Sequence, residues 1–212
     1  MIITWYGHAC FRLQGNLTDA TLLIDPYDST LGKKIPKMSA NILVESTQSP
    51  AATNEEFKKR SDELFVIANA GEYEVRGVSI QSIAIDQKDK KEPTHVSVVR
   101  IDDMLVVHLG LLGRELTEKE LDLLGHVDLC IIPVGGGNVL SPVRAVETIN
   151  ALEPRVVIPM CYASAGLKTD MGPLDAFLKE YGLKSQETLD KYKVHKKDLP
   201  QEETTVIVLE AQ

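Results

Sequence analysis

The groups in this sequence that could do chemistry are five histidines (His8, His95, His108, His126 and His195), three cysteines (Cys10, Cys130 and Cys161) and a triple glycine, Gly135-Gly136-Gly137. No two histidines stand two, three or four residues apart, the offsets that bring two imidazoles onto one metal ion. The cysteines form no CxxC pair. An odd number of them in a chain of 212 residues indicates neither a disulfide framework nor a thiolate zinc site. The glycines follow an apolar run and precede a helical pattern, where phosphate loops sit, but the GxxxxGK[ST] and GxGxxG spacings are absent, and so is a GxSxG elbow. As isolated motifs these residues specify no reaction.

The elements that must position them come in two styles. Short β-type runs fill the first half, at 2–6, 10–13, 20–24, 41–44, 65–68, 73–75, 78–85, 95–101 and 104–108. Gly7, Gly15 and Asn16 separate the first three, and Asp102-Asp103 suits a two-residue hairpin connection. The second half alternates helix and strand. Thr117 followed three residues later by Glu120 is a capping box that opens a helix over 117–124, ended by Gly125. Ser141-Pro142 reads as an N-cap with Pro at the first helical position, and Val143, Val146, Ile149 and Leu152 recur at helical spacing. Strands are expected at 128–134, 155–159 and 204–209, a short helix at 173–181, and a charged amphipathic helix at 55–64. No repeat, linker or low-complexity tract interrupts the chain, so one domain over 1–212 is expected. It should hold two facing sheets with helices outside, because the hairpin-rich first half lacks the helices that a single doubly wound parallel sheet requires.

Composition removes several function classes. At 43% hydrophobic and 25% charged, the chain can bury about 70% of the surface its unfolded form exposes, which excludes a wholly disordered or collagen-like protein. Asp plus Glu number 31 against 23 Lys plus Arg, a net charge of −8 that repels phosphate backbones and anionic lipid. The longest basic stretch, Lys88-Asp89-Lys90-Lys91, carries an acid inside it. Neither nucleic acid nor a membrane is expected as a partner. No basic-then-apolar leader opens the sequence, and its longest apolar run, 129–134, falls far short of the ~20 residues that span a bilayer. The expected location is the reducing cytoplasm.

The whole string says more than its motifs. Thr4-Trp5-Tyr6-Gly7-His8-Ala9-Cys10-Phe11 followed by Leu22-Leu23-Ile24-Asp25-Pro26 resembles the opening of the metallo-β-lactamase superfamily. The resemblance is to its small bacterial branch of metal-dependent hydrolases, which includes ascorbate-6-phosphate lactonase-like proteins. Gly71-Glu72-Tyr73-Glu74-Val75 with Gly77-Val78 looks like that branch's central hairpin. His108-Leu109-Gly110 through Gly113, Val127-Asp128 through Gly136, and Glu153-Pro154 through Met160 look like its C-terminal half. The resemblance runs in one register from about residue 2 to 209 and implies a four-layer αββα sandwich of two mixed β-sheets.

It also implies a zinc site, whose ligand positions are occupied by other residues. The family's HxHxDH motif, laid after the strand at 41–44, falls on Ser46, Gln48, Pro50 and Ala51; its third histidine falls near Ile85, beside Asp86. The bridging aspartate position holds Leu111 and the terminal histidine position Cys161, while His108 matches a residue that is not a ligand in that pattern. A hydrolytic zinc needs three or four His, Asp or Cys donors and an open position for water. Without the ion nothing lowers the pKa of water from about 15.7 towards ~7. No cofactor is therefore expected, and the leading expectation is a non-catalytic binding, regulatory or assembly protein with a collapsed or water-filled pocket walled by Ser46, Gln48, Ile85, Leu111 and Cys161. His8, Asp25 and His108 complete the candidate pocket. Asp25 either braces the metal loop, as its family counterpart does, or forms an ordinary Asp-Pro turn. Cys161 is either a small buried apolar residue or a reactive thiol. The alternative is a metal-dependent hydrolase of lactones, esters or phosphodiesters with a site rebuilt around His8, His108 and Cys161. The expected partner is a small molecule or a protein, with a homo-oligomer or an assembly with an active relative as further expectations.

Overall fold

The computed structural model describes residues 1–47, 63–87 and 90–212. Strand alternation builds the first sheet from β1 (Ile2–Trp5), β2 (Phe11–Gln14), β3 (Thr21–Ile24), β4 (Ile42–Val44) and β5 (Phe65–Ile67). In β1 and β2, Ile3, Trp5, Phe11 and Leu13 turn into the core while their neighbours stay half exposed, the period-2 pattern of a half-buried antiparallel strand. The second sheet contains β6 (Gly71–Val75), β7 (Val78–Ile85), β8 (Thr94–Ile101), β9 (Met104–His108), β10 (Leu129–Pro133) and β11 (Val156–Met160). β10 and β11 are buried at every residue, as parallel strands covered on both faces must be. Helices α1 (Glu118–Leu124), α2 (Pro142–Leu152) and α3 (Leu174–Tyr181) follow the second-sheet strands. The Thr117–Glu120 capping box forms in both directions, and Ser141 caps α2.

Four short strands close the chain: β12 (Thr188–Leu189), β13 (Tyr192–Lys193), β14 (Thr205–Val206) and β15 (Val208–Leu209). The sheet orders are β13-β1-β2-β3-β4-β5 and β14-β11-β10-β9-β8-β7-β6, with β12-β15 as a separate pair. Each large sheet is mixed: β1-β2-β3 and β6-β7-β8-β9 run antiparallel, β3-β4-β5 and β9-β10-β11-β14 parallel. The single strand expected at 204–209 is therefore two strands. The Ile207 amide still donates to Val157 O, after which the chain leaves β11 and Val208 pairs with Thr188. The helix expected at 55–64 lies outside the described residues except for its last two, of which Glu63 is in a turn. Among the described residues no helix is long and apolar enough to cross a membrane.

The start of β10 is anchored by charge. Asp128, 1% exposed, accepts from the Leu105 amide at 2.8 Å and the Lys196 ammonium at 2.6 Å, with Arg155 Nε at 3.7 Å. Asp128→Asn keeps the shape but weakens charge-assisted bonds, so a loss of about 2 kcal/mol is expected. It should appear as a lower urea midpoint at unchanged slope; an unchanged midpoint would mean the cluster contributes nothing.

Candidate functional site

A cavity of about 170 Å³ opens where strand C-termini and the β1–β2 loop meet, lined by His8, Asp25, Tyr27, Ser46, Thr47 and Leu111 among others. Asp25 and Ser46 follow β3 and β4, and Leu111 follows β9. Three residues here hold left-handed backbone without being glycine: His8 (φ 52°), Asp25 (φ 48°) and Cys161 (φ 53°), the last directly after β11. Such conformations cost of order 1 kcal/mol each and persist where the surroundings fix them. The fixing bonds are visible. His8 O accepts from Trp5 Nε1 at 3.0 Å and from the Cys161 amide at 3.2 Å. Asp25 Oδ1 accepts from the Ser46 amide at 2.6 Å. Asp25 is thus bonded to Ser46, two residues after β4.

The second carboxylate oxygen is different. Asp25 Oδ2 and Ser46 Oγ are both buried, and among the described residues neither makes a hydrogen bond of ordinary geometry, although the Ser46 hydroxyl adjoins the carboxyl. Burial pushes the Asp25 carboxyl up to about 6, against the pull of the adjoining Ser46 hydroxyl and amide and, more weakly, of His95. His8 is pushed down to about 4 by burial and by His108. Burial also pushes His108 down to about 4, against its bond to Ala9. Both imidazoles are therefore neutral at pH 7, and the 3.9 Å approach of His108 Nδ1 to Asp25 Oδ2 is an ion beside a neutral ring, not a salt bridge. Burial, helped by Asp25, drives the Cys161 thiol well above its ordinary range; a protonated, fully buried sulfur removes the reactive-thiol alternative.

The zinc that the family implies finds no fitting donor set here. His108 Nε2 faces Ala9 O at 3.0 Å and its Nδ1 accepts from the Gly110 amide at 3.2 Å, so both nitrogens are engaged. Cys161 is fully buried and does not line the cavity, which leaves His8 and Asp25 at its wall. Among the described residues no group of three His, Cys, Asp or Glu is placed to hold an ion.

Of the pocket residues read from sequence, His8, Asp25, Ser46 and Leu111 line one cavity. His108 and Cys161 lie fully buried behind it. Ile85 is a correction: it is 2% exposed, pairs with Thr94 across β7–β8 and does not line the cavity. Gln48, Pro50 and Ala51 lie outside the described residues. The pocket has not collapsed. Tyr27 and Thr47 were missed, although each stands within two residues of a singled-out position; proximity along the chain was the available signal.

Comparison with known proteins fits the two-sheet fold. Residues 2–161 match a family profile described as a beta-lactamase superfamily domain. A metal-dependent hydrolase of Methanocaldococcus jannaschii is 28% identical over 185 residues, 76% of this chain and 84% of the relative. One from Thermoplasma volcanium is 27% identical over 192 residues, covering 76% and 82%. A Thermotoga maritima crystal structure, whose name places it among Zn-dependent hydrolases of the metallo-β-lactamase superfamily, is 30% identical. It covers 99% of this chain and 100% of its own, with a TM-score of 0.79. These relatives overturn the expectation of a non-catalytic protein. They bear the names of hydrolases, and the loss of ligand residues at the aligned positions was too narrow a basis for denying chemistry to the whole cleft.

Proposed function

Because the chain belongs to the metallo-β-lactamase superfamily, we propose that it is a hydrolase of small esters, lactones or phosphodiesters, acting at the cleft of His8, Asp25 and Ser46. Asp25 carries this reading: one carboxylate oxygen is fixed by the Ser46 amide, the other makes no ordinary hydrogen bond among the described residues, and proton affinity is raised to about 6. A general base must be mostly ionised at working pH yet hold a proton readily; Asp25 meets both demands. The Asp25 carboxyl, at the cleft wall, takes a proton from the attacking water as the new bond to carbon or phosphorus forms. The same proton then passes to the departing alkoxide, leaving the carboxylate as it began. The Ser46 amide holds the Asp25 carboxyl in place, and neutral His8 offers a hydrogen bond at the cleft wall. The relatives' names include metal dependence, but the described donors here set no ion in place, so no step passes through one. Three free, buried cysteines support a cytoplasmic location, and the −8 charge supports a small-molecule ligand over nucleic acid or anionic lipid.

The test is hydrolysis of p-nitrophenyl acetate, a γ-lactone and bis-p-nitrophenyl phosphate across pH 5–9, each with EDTA and with added zinc. Turnover of one class is expected, with kcat/KM rising through a single limb near pH 6 and then level. No turnover of any class in any arm overturns the reading. A flat profile removes Asp25 as the base.

A further inference from the structure

A second, larger cavity of about 760 Å³ shares no lining residue with the first, and among the described residues its wall sets Lys90, Arg114 and Arg144 against one carboxylate, Glu115. In a chain of net charge −8 such a lining is against the average. Its cations differ in what they already hold. Arg114 is spent: its guanidinium donates to Asp86 O, to Glu115 O and twice to Glu120. Lys90 is not. Its ammonium donates to Leu111 O at 3.2 Å and Asn138 O at 3.0 Å, both neutral carbonyls, and an ammonium has three protons to give. Arg144, about half exposed, pairs through Nε with Glu115 at 3.4 Å.

The wall is built rather than incidental. Gln87 is 9% exposed and ties the loop after β9 in place, accepting from Gly113 N at 2.7 Å and donating to Leu111 O at 3.3 Å. The Leu140 amide donates to Leu112 O at 2.8 Å, joining this loop to the one after β10. A Cβ on Gly113 would stand 2.7 Å from Gln87 Oε1 and 3.0 Å from Asn138 O, so the two loops touch because that residue has no side chain.

We propose that this cavity binds a small oxyanion, a phosphate or carboxylate group of an organic ligand, with Lys90 and Arg144 as its charged contacts. Among the described residues Lys90 is held at the wall by carbonyls that fix its position without neutralising it, and Arg144, half exposed and paired through Nε with Glu115, stands in the first turn of α2. Partial burial also lowers the Lys90 proton affinity, the mark of an ammonium that an anion would stabilise. The site is separate from the Asp25 cleft, so it stands or falls independently of the hydrolase reading.

Calorimetric titration with inorganic phosphate and, in a second arm, citrate tests it on the whole chain at fixed ionic strength. Saturable binding of either is expected, and the arm that binds more tightly names the ligand class. Lys90→Met and Arg144→Met should each weaken it by about 10-fold, and Lys90→Arg by less than about threefold. Lys90 ties two loops, so Arg144→Met, with its half-exposed side chain, remains informative if Lys90→Met fails to fold. No saturable heat with either anion, equal binding of chloride, or unchanged affinity in Arg144→Met overturns the proposal.

Discussion

Asp25→Asn is expected to cut turnover about 100-fold or more while raising the stability of the fold at pH 8. The two effects share one cause. A carboxyl raised from 3.8 to about 6 by burial is a charge that the folded state would rather not carry. At about 1.36 kcal/mol per unit, its ionisation costs the fold at most about 3 kcal/mol. The sign follows from proton counts: between pH 4 and 6 the folded protein holds the Asp25 proton that the unfolded chain has lost. Stability from this group therefore falls as pH rises through that window and stays low above it. His8 and His108, pushed down to about 4, act oppositely. The unfolded chain takes up their protons below about pH 6.5, so stability falls as pH drops. Two protons against one leaves the wild-type protein losing stability towards acid with a net slope of about one proton. Asparagine removes the opposing term. The variant should gain about 1–3 kcal/mol at pH 8, less than the ceiling because its amide needs an acceptor, and its acid limb should steepen towards two protons. Urea midpoints at pH 5, 6.5 and 8 measure both. A destabilised variant with an unchanged slope would mean that Asp25 is a structural brace and nothing more.

Much of this arrangement was legible in the residues. Asp102-Asp103 turns with φ of 50° and 62°, the paired left-handed values a two-residue hairpin demands. The box at Thr117 and Glu120 closes as its spacing requires. The apolar runs 41–44 and 65–68 lie side by side as parallel strands. Strand ends carried the site: Asp25, Ser46 and Leu111 converge because parallel strands place their C-termini on one edge. What was not legible depends on contacts that strand counting does not give. Ile85 ends an antiparallel strand and faces the core, so its position in a motif alignment did not carry it to the cleft. The break at Ile207 arises from competition between β11 and β12 for one short segment. That one Asp25 oxygen makes no ordinary hydrogen bond among the described residues is a fact about the space around it, and no spacing rule contains it.

Gly135→Ala should be the most destabilising single methyl on this edge, and its reason is space rather than backbone freedom. Gly135 is absent from the positive-φ glycines, so alanine meets no conformational barrier there. A Cβ, however, would lie 2.1 Å from Cys161 O and 2.9 Å from Met171 Cβ. Neither neighbour can retreat cheaply. Residues 133 and 160 are paired across β10–β11 just before this point, and Gly135 O accepts from Gly172 N at 2.7 Å. Cys161 is itself held left-handed and bonded through its amide to His8 O. Overpacking against backbone this fixed goes beyond the usual ~1–3 kcal/mol, to about 3–5 kcal/mol, or a fall in Tm of about 10 °C for a chain of this size. Gly182→Ala is the matched control. Its φ is 90° but nothing lies within 4 Å of its Cβ, so it should lose only the left-handed penalty of about 1 kcal/mol, or about 3 °C. Equal losses in the two variants would show that the approach of β10 to Cys161 is loose. A loss confined to Gly135→Ala, with turnover falling alongside stability, would show that the Cys161–His8 contact transmits the crowding into the cleft.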